Sequence, residues 1–280
     1  MLVFFEVNTL NTWLQDQKKS GASIGFVPTM GALHAGHISL IEASHSGNDI
    51  TVCSIFVNPT QFNDPVDLEK YPRTYEADCE LLIKGHCDVL FYPGVGEIYP
   101  DDSIDVKIDL GGLDIMMEGM HRPGHFKGVV QVVHRLLDIV KPNRLYMGQK
   151  DFQQFTIIDH MIKELNLPVE LVVCPILRES HGLAMSSRNE RLSTQGREEA
   201  AEIFKVLSKS NTLRHAMSPQ QIKQKLFADL NHDPFKPEYV EIVDRFTLQP
   251  IDSWPEKGTP VICAAVWLEG GRLIDNIILN

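Results

Sequence analysis

The sequence lacks paired cysteines, an excess of basic residues and long apolar runs, and each absence excludes a class of protein. The five cysteines are odd in number, lie far apart and form no C-x-x-C pair, which argues against a disulfide framework and a thiolate zinc site. Asp and Glu outnumber Lys and Arg by 37 to 26, so binding to nucleic acid through its phosphate backbone is not expected. The longest apolar run, residues 261–268, is far shorter than the roughly 18 residues of a membrane span, and the first residues lack the positive charge of a leader peptide. We therefore expect a cytoplasmic protein with no membrane or nucleic-acid partner.

Length and composition indicate an ordinary globular protein. The 280 residues are 43% hydrophobic and 22% charged, enough for one large domain or two modest ones at roughly 100–200 residues each. A small phosphorylated ligand remains compatible with the net charge of −11, because a local cluster of cations and backbone N–H groups can bind it.

Strand and helix patterns alternate through the first two thirds of the chain. Helical spacing is clearest in residues 126–140 and 151–165, and strands are predicted at residues 24–27, 50–57, 88–91, 145–147 and 169–173. Such alternation is typical of βαβ units, so we expect an α/β fold with a doubly wound parallel sheet. Ligands of such sheets bind beyond the carboxyl ends of the strands.

The pattern changes after residue 175. A polar loop at 178–189 and helical stretches at 194–213 and 219–230 precede three strand patterns, at 239–243, 261–268 and 273–279. Helices followed by strands predict a separate, smaller α+β domain. The boundary falls within residues 176–187, and we assign the domains to residues 1–176 and 177–280.

The first candidate site is the segment P-T-M-G-A-L-H-A-G-H at residues 28–37, between a strand and a helix. Gly31 and Gly36 permit a close backbone approach, and the N–H groups and dipole of a helix start attract anions. His34 and His37 are three residues apart, so within a helix they share a face and can both donate to a phosphate. The alternative is two turn histidines without a special role. A zinc site is less favoured, because no third ligand lies nearby.

A second candidate, M-G-Q-K-D-F-Q-Q at residues 147–154, lies at another strand end. Lys150 can reach a phosphate from this position. Asp151 and Gln154 can instead form a capping box at the start of a helix, so a structural explanation for these two stays open.

Three further polar segments occur where loops are expected. In G-L-A-M-S-S-R-N, residues 182–189, two hydroxyls and a guanidinium can hold a polyphosphate, although a solvated linker has the same composition. In F-V-N-P-T-Q-F, residues 56–62, the two amides can also be turn formers. In H-R-P-G-H-F, residues 121–126, the arginine can also be a plain surface charge.

Together and in this order, these segments resemble the pantothenate synthetase family over nearly the whole chain, as do Y-P-R-T at 71–74 and R-L-I-D-N at 272–276. The H-x-G-H segment belongs to the wider nucleotidyltransferase superfamily, in which it binds ATP phosphates, whereas N-P-x-Q and K-D-F-Q-Q are specific to this family. The resemblance implies a Rossmann-like N-terminal domain, a smaller C-terminal lid domain and a homodimer. It also implies a two-step ligation: pantoate and ATP give pantoyl adenylate and pyrophosphate, and β-alanine then gives pantothenate and AMP.

The resemblance also implies roles for single residues. The catalytic set is His37, His34 and Lys150, with His37 as the catalytic donor. Pantoate and β-alanine are expected at Gln61, Gln154, Asn58 and Arg122, and Asp78 is a weaker candidate for approaching Mg²⁺. The expected ATP site comprises Met30, Gly31, Ala32, Leu33, His34, Ala35, Gly36, His37, Gly148, Gln149, Lys150, Asp151, Leu177, Met185, Ser186, Ser187 and Arg188.

Two positions depart from the family pattern. Residue 149 is Gln where an acidic residue is common, and residue 181 is His where Asp is usual, which leaves open how the following loop is anchored. Two other functions are considered: an adenylyltransferase that makes a dinucleotide cofactor, and a nucleotide-binding regulator without turnover. Pyrophosphate formation that depends on pantoate separates all three.

Overall fold

The structure, a computed structural model, describes residues 1–62, 65–100, 105–256 and 258–279. The chain forms two compact units, each with its own sheet. The first unit comprises Met1–Gln149 and Ile157–Pro175, and the second comprises Lys150–Thr156 and Ile176–Asn280. No helix in the described parts of the chain is long and apolar enough to cross a bilayer.

The sheet of the first unit has six parallel strands in the order β1-β4-β3-β2-β5-β6. They are β1 (Leu2–Phe4), β2 (Ile24–Thr29), β3 (Ile50–Ile55), β4 (Val89–Phe91), β5 (Arg144–Gly148) and β6 (Glu170–Cys174). Every residue of β3 is buried, as expected for a central strand of a parallel sheet covered on both faces. The predicted doubly wound α/β sheet is confirmed, and the edge strand β1 is added to it.

Helices connect these strands: α1 (Val7–Lys19), α2 (Ala35–Gly47), α3 (Pro65–Glu69), α4 (Tyr75–Lys84), α5 (Val95–Ile98), α6 (Glu118–His121), α7 (His125–Val140) and α8 (Phe152–Glu164). The longest, α7, corresponds to the predicted helix 126–140 and buries eleven of its sixteen residues. Its last carbonyls accept hydrogen bonds from Lys18 Nζ, at 3.0 Å from Val140 O and 2.8 Å from Lys141 O. A cation at this end also suits the helix dipole.

The second unit has a three-stranded antiparallel sheet in the order β7-β8-β9, covered by helices on one face. The strands are β7 (Lys236–Asp244), β8 (Pro260–Leu268) and β9 (Gly271–Ile278), and the helices are α9 (Thr194–Glu199), α10 (Ala201–Ser208), α11 (Ser210–Leu213) and α12 (Pro219–Leu230). Glu269 and Gly270 both have positive φ, as the tight turn of the β8-β9 hairpin requires. The predicted smaller α+β domain is confirmed.

One helix prediction in this unit was too simple. Residues 194–213, expected as one helix, form α9, α10 and α11. Hydrogen bonds from Ile203 N to Ala200 O and from Lys209 N to Val206 O span three residues instead of four. Such 3₁₀-type turns interrupt the α-helical ladder at two points.

Candidate active site

The loop between β2 and α2 lies where the strand order of the first sheet reverses. The chain adds β3 and β4 on one side of β2 and then β5 and β6 on the other. Ligands of doubly wound sheets bind at this reversal, beyond the carboxyl ends of the strands. The predicted segment 28–37 occupies this position, and Gly31 and Ala32 turn the loop with φ angles of 82° and 50°.

His34 and His37 are fixed by backbone groups at the start of α2. Nδ1 of His34, the N-cap residue, accepts the N–H of Gly36 at 3.1 Å, and Nδ1 of His37 accepts the N–H of His34 at 3.3 Å. Because both Nδ1 atoms are acceptors, both neutral imidazoles carry their proton on Nε2. The ring centroids are 4.1 Å apart. The first turn of α2 therefore offers two neighbouring Nε2–H donors where the helix dipole already attracts an anion.

Asp78 of α4 anchors this loop. Its Oδ2 accepts the N–H of Ala32 at 3.1 Å, and its Oδ1 accepts the N–H of Leu33 at 2.8 Å and the hydroxyl of Thr74 at 3.1 Å. The side chain is almost fully buried. The carboxylate thus holds the backbone that leads into His34, and its predicted approach to Mg²⁺ stays a prediction.

A 3₁₀ turn after β3, Pro59–Gln61, ends in the predicted substrate residue Gln61, and a second predicted residue, Asn58, is its N-cap. Asn58 is 1% exposed, and its Nδ2 donates to Gln61 Oε1 and to the carbonyl of Gly128, both at 3.1 Å. Its Oδ1 accepts the hydroxyl of Tyr99 at 2.9 Å. Asn58 therefore orients the amide of Gln61, and a direct contact between Asn58 and substrate stays a prediction.

Gln61 reaches from this turn to the loop after β2. Its side-chain Nε2 lies 3.0 Å from Met30 Sδ, a weak acceptor. Its backbone carbonyl oxygen is 2.9 Å from Nδ1 of the buried His125. Because a carbonyl only accepts, Nδ1 of His125 carries the proton. With Oε1 held by Asn58, the side chain of Gln61 acts as a donor through Nε2.

The turn also rests directly on the backbone of α7. A Cβ at Gly128 would lie 2.5 Å from Thr60 O and 2.8 Å from Gln61 N, so only glycine permits this approach. Reasoning from the sequence did not find Gly128, Tyr99 or the His125 contact, because each acts across about 40 residues or more of chain. Gly128, the second glycine of R-P-G-H-F-K-G-V, marks this contact only once the fold is known.

The segment that contains Lys150 and Gln154 begins α8. Gly148 ends β5, and the N–H of Gln149 donates to Cys174 O at 2.8 Å. Lys150 and Gln154 are partly exposed, whereas the rings of Phe152 and Phe155 are buried and pack edge to face. The roles predicted for Lys150, Asp151 and Gln154 stay predictions, and so does the capping-box alternative.

A hairpin in the second unit carries the serine pair and Arg188. Arg178 and Ala184 form an antiparallel bridge, and the N–H of Met185 donates to Leu177 O at 3.0 Å. Ser186 then caps a 3₁₀ turn, its Oγ accepting the N–H of Arg188 at 3.3 Å. The hydroxyl proton of Ser186 is left to donate elsewhere, as a phosphate-binding group requires.

Glu179 and His181 anchor the start of this hairpin loop. His181 Nε2 lies 2.9 Å from the carbonyl of Arg197, so this nitrogen is protonated. The carboxylate of Glu179 accepts two bonds from Arg197 Nε, at 2.9 and 3.0 Å, and one from Asn189. Burial alone raises the pKa of Glu179, but the hydrogen bonds and charge of Arg197 leave it below its ordinary value of 4.5. The loop is therefore anchored without an aspartate at position 181.

Arg122 is partly exposed at the end of α6, and its predicted contact with substrate stays a prediction. Its N–H donates to Glu118 O at 2.8 Å, and its carbonyl accepts the N–H of His125 at 3.1 Å. Its backbone therefore shapes the entry into α7.

Comparisons with known proteins agree with this architecture. The sequence model of the pantoate-beta-alanine ligase family matches residues 2–278. The chain belongs to the pantoate-β-alanine ligase family. A pantothenate synthetase from Porphyromonas gingivalis is 49% identical over 278 residues, which cover 99% of both chains.

Two solved ligase structures share the fold. The pantothenate synthetase of Thermus thermophilus is 38% identical, with a TM-score of 0.90 and 99% of both chains covered. The pantoate-beta-alanine ligase of Francisella tularensis, solved in complex with beta-gamma ATP and β-alanine, is 35% identical, with a TM-score of 0.81, and the match covers 99% of this chain and 97% of that one. The family resemblance predicted from the motifs is confirmed.

Proposed function

We propose that the protein joins pantoate to β-alanine with the consumption of ATP, giving pantothenate, AMP and pyrophosphate. Membership of the ligase family supports this reaction, and the Francisella tularensis relative with beta-gamma ATP and β-alanine bound supports two of the substrates. The observation that carries the proposal is the pair of Nε2–H donors on His34 and His37 where the strand order reverses. A dinucleotide-forming adenylyltransferase is not favoured, because the match extends over the whole chain to this family.

The first step brings two anions together. A carboxylate oxygen of pantoate attacks the α-phosphorus of ATP, a new O–P bond forms, and the bond to pyrophosphate breaks. The enzyme must hold the reacting atoms in line and offset the charge that grows on the leaving group. His34 and His37 donate from the first turn of α2, and Lys150, Ser186 and Arg188 add positive charge and a further hydroxyl.

Amide side chains suit pantoate, which offers one carboxylate and two hydroxyls. Asn58 holds the Oε1 atom of Gln61, so Gln61 approaches the substrate as an Nε2–H donor. A substrate oxygen is a better acceptor than the thioether of Met30 that this donor now faces. We assign pantoate to Gln61 and Gln154.

In the second step the amine of β-alanine attacks the carbonyl carbon of pantoyl adenylate. The new C–N bond forms as AMP leaves with the oxygen that bridged carbon and phosphorus. The mixed anhydride is already activated, so the protein needs no nucleophilic side chain and instead has to exclude water.

Mg²⁺ would arrive with ATP and offset the charge of the phosphates. In the described ranges, no group of three or more His, Cys, Asp or Glu side chains could hold a metal ion. Mg²⁺ commonly keeps several waters and takes substrate phosphates as ligands. The described residues therefore fit a Mg²⁺ ion that is bound chiefly by the phosphates of ATP.

We further propose a homodimer in the cytoplasm. Ile115, shortly before α6, and Met120, within it, are 67% and 65% exposed, and large apolar side chains exposed in one short segment are compatible with an interface. All five cysteines are free, which suits a reducing compartment. Light scattering of the wild type should give twice the 31.6 kDa chain mass, and a monomer mass at micromolar concentration would contradict the dimer.

Isotope exchange tests the proposed function. Labelled pyrophosphate should enter ATP when pantoate and Mg²⁺ are present and β-alanine is absent, and omitting pantoate should stop the exchange. Exchange without pantoate, or exchange that needs a mononucleotide instead, would contradict the proposal. ATP binding without any exchange would indicate a regulator.

A further inference from the structure

Two adjacent buried polar residues of β9, Asp275 and Asn276, are not used by the reaction as described above. They are 5% and 2% exposed. Successive side chains of a strand point to opposite faces of its sheet. Leu273, two residues before Asp275, belongs to the core under the helices, so Asp275 lies on that face and Asn276 on the other.

Asp275 holds the hairpin that leads to the serine pair. The guanidinium of Arg178 forms a two-pronged ion pair with it, with Nη1 at 2.6 Å from Oδ2 and Nη2 at 2.9 Å from Oδ1. Nη1 also donates to the carbonyl of Gly182 at 3.2 Å, and the guanidinium lies 3.8 Å from the ring centre of Phe204. A planar, two-pronged contact fixes both distance and orientation.

Asn276 holds the backbone of Lys150. Its Nδ2 donates to the carbonyl of Lys150 at 2.9 Å, just before α8 begins at Phe152. The backbone at Lys150 is thus held by a buried side-chain amide. The two side chains are themselves connected, because the N–H of Asn276 donates to Asp275 Oδ1 at 2.7 Å.

We propose that Asp275 and Asn276 are positioning residues that set Lys150 and the Gly182–Arg188 loop in one fixed geometry for the same ATP phosphates. The inference rests on the proposed function of Lys150 and Arg188. β9 itself touches no substrate in this proposal. It acts as a rigid connection between two cation-bearing segments of the second unit, each held by one side chain of the pair.

A double-mutant cycle tests the proposal at Asn276. Asn276→Ala, Lys150→Ala and the double variant are compared in calorimetric titrations with MgATP and in the pantoate-dependent exchange. If Asn276 acts through Lys150, Asn276→Ala lowers exchange about tenfold in the wild-type background and less than about threefold when Lys150 is already alanine. The ATP dissociation constant follows the same non-additive pattern.

The matched control is Ile277→Val, the next residue of β9, whose side chain packs against the helix-covered core. It should lower the melting temperature slightly and leave exchange and ATP affinity unchanged. Asn276→Asp, which keeps the size but places an oxygen against the Lys150 carbonyl, should be at least as impaired as Asn276→Ala. If the alanine variant folds poorly, Asn276→Asp takes its place in the double-mutant cycle.

The outcomes separate this inference from the proposed function. Equal losses from Asn276→Ala with and without Lys150, or no loss at all, would overturn the positioning role. Wild-type protein that binds MgATP but shows no pantoate-dependent exchange would refute the proposed function, and the binding cycle would still decide the role of Asn276.

Discussion

A substitution at Gly128 tests whether the packing of α7 against the Gln61 turn controls activity. In Gly128→Ala the new Cβ would meet Thr60 O at 2.5 Å, whereas ordinary contacts begin near 3.4 Å, so the 3₁₀ turn that carries Gln61 must move by about 0.9 Å. A misplacement of this size costs on the order of 10²-fold when it moves a group that orients the substrate. We expect kcat/KM for pantoate in the exchange reaction to fall by about that factor.

The stability of this variant should change much less than its activity. Alanine is favoured over glycine inside a helix by about 1 kcal/mol, which opposes an overpacking cost of roughly 1–3 kcal/mol. The net loss of about 1 kcal/mol leaves the protein folded under assay conditions. Urea unfolding measured beside the exchange assay separates the two effects.

Gly96→Ala is the matched control, because no atom lies within 4 Å of its added Cβ and the residue lies in α5. It should keep wild-type exchange. A Gly128→Ala variant with unchanged kcat/KM and KM for pantoate would show that the position of Gln61 does not govern the reaction.

Three other substitutions test the remaining assignments. Gln154→Ala should suppress exchange about 10²-fold with a nearly unchanged melting temperature, whereas a lower melting temperature with undiminished exchange would make Gln154 a capping residue only. Asp78→Asn should cost about 2 kcal/mol in urea unfolding and weaken ATP binding, because an amide nitrogen would face a loop N–H, and an unaltered urea midpoint would refute the anchoring role. Because the pKa of Glu179 is depressed in the folded state, its carboxylate stabilises the protein at pH 7, and this contribution is lost as the pH falls through the folded-state pKa. The difference in urea midpoint between wild type and Glu179→Gln should therefore shrink below pH 4.5, and a difference that stays constant down to pH 3 would contradict the reasoning.

The central strands were predictable because a parallel sheet buried on both faces leaves continuous apolar runs, as in β3. The outer elements were harder to predict. β1 has only three residues, and α1 buries only Leu10 and Leu14, too narrow a stripe to stand out in its polar sequence. The sequence also holds no signal that groups Lys150–Thr156 with the second unit, because that grouping arises from tertiary contacts.

In the candidate site, too, local features were predictable from the sequence, whereas contacts between distant residues were not. Spacing places His34 and His37 on one helix start, because the three-residue offset is a local property. The anchoring of the loop by Asp78 joins residues 45 positions apart, and the bond from Asn276 to Lys150 joins residues 126 positions apart. Such contacts depend on how the strands are ordered, which a pattern along one chain does not contain.

The route of one oxygen atom tests the central claim most directly. Pantoate labelled with ¹⁸O in its carboxylate is incubated with ATP, Mg²⁺, β-alanine and the protein, and the products are analysed by mass spectrometry. Attack of the carboxylate on the α-phosphorus predicts one ¹⁸O in AMP and none in pyrophosphate. Label in inorganic phosphate with ADP as the second product, or pantothenate formed with unlabelled AMP, would contradict the adenylate pathway.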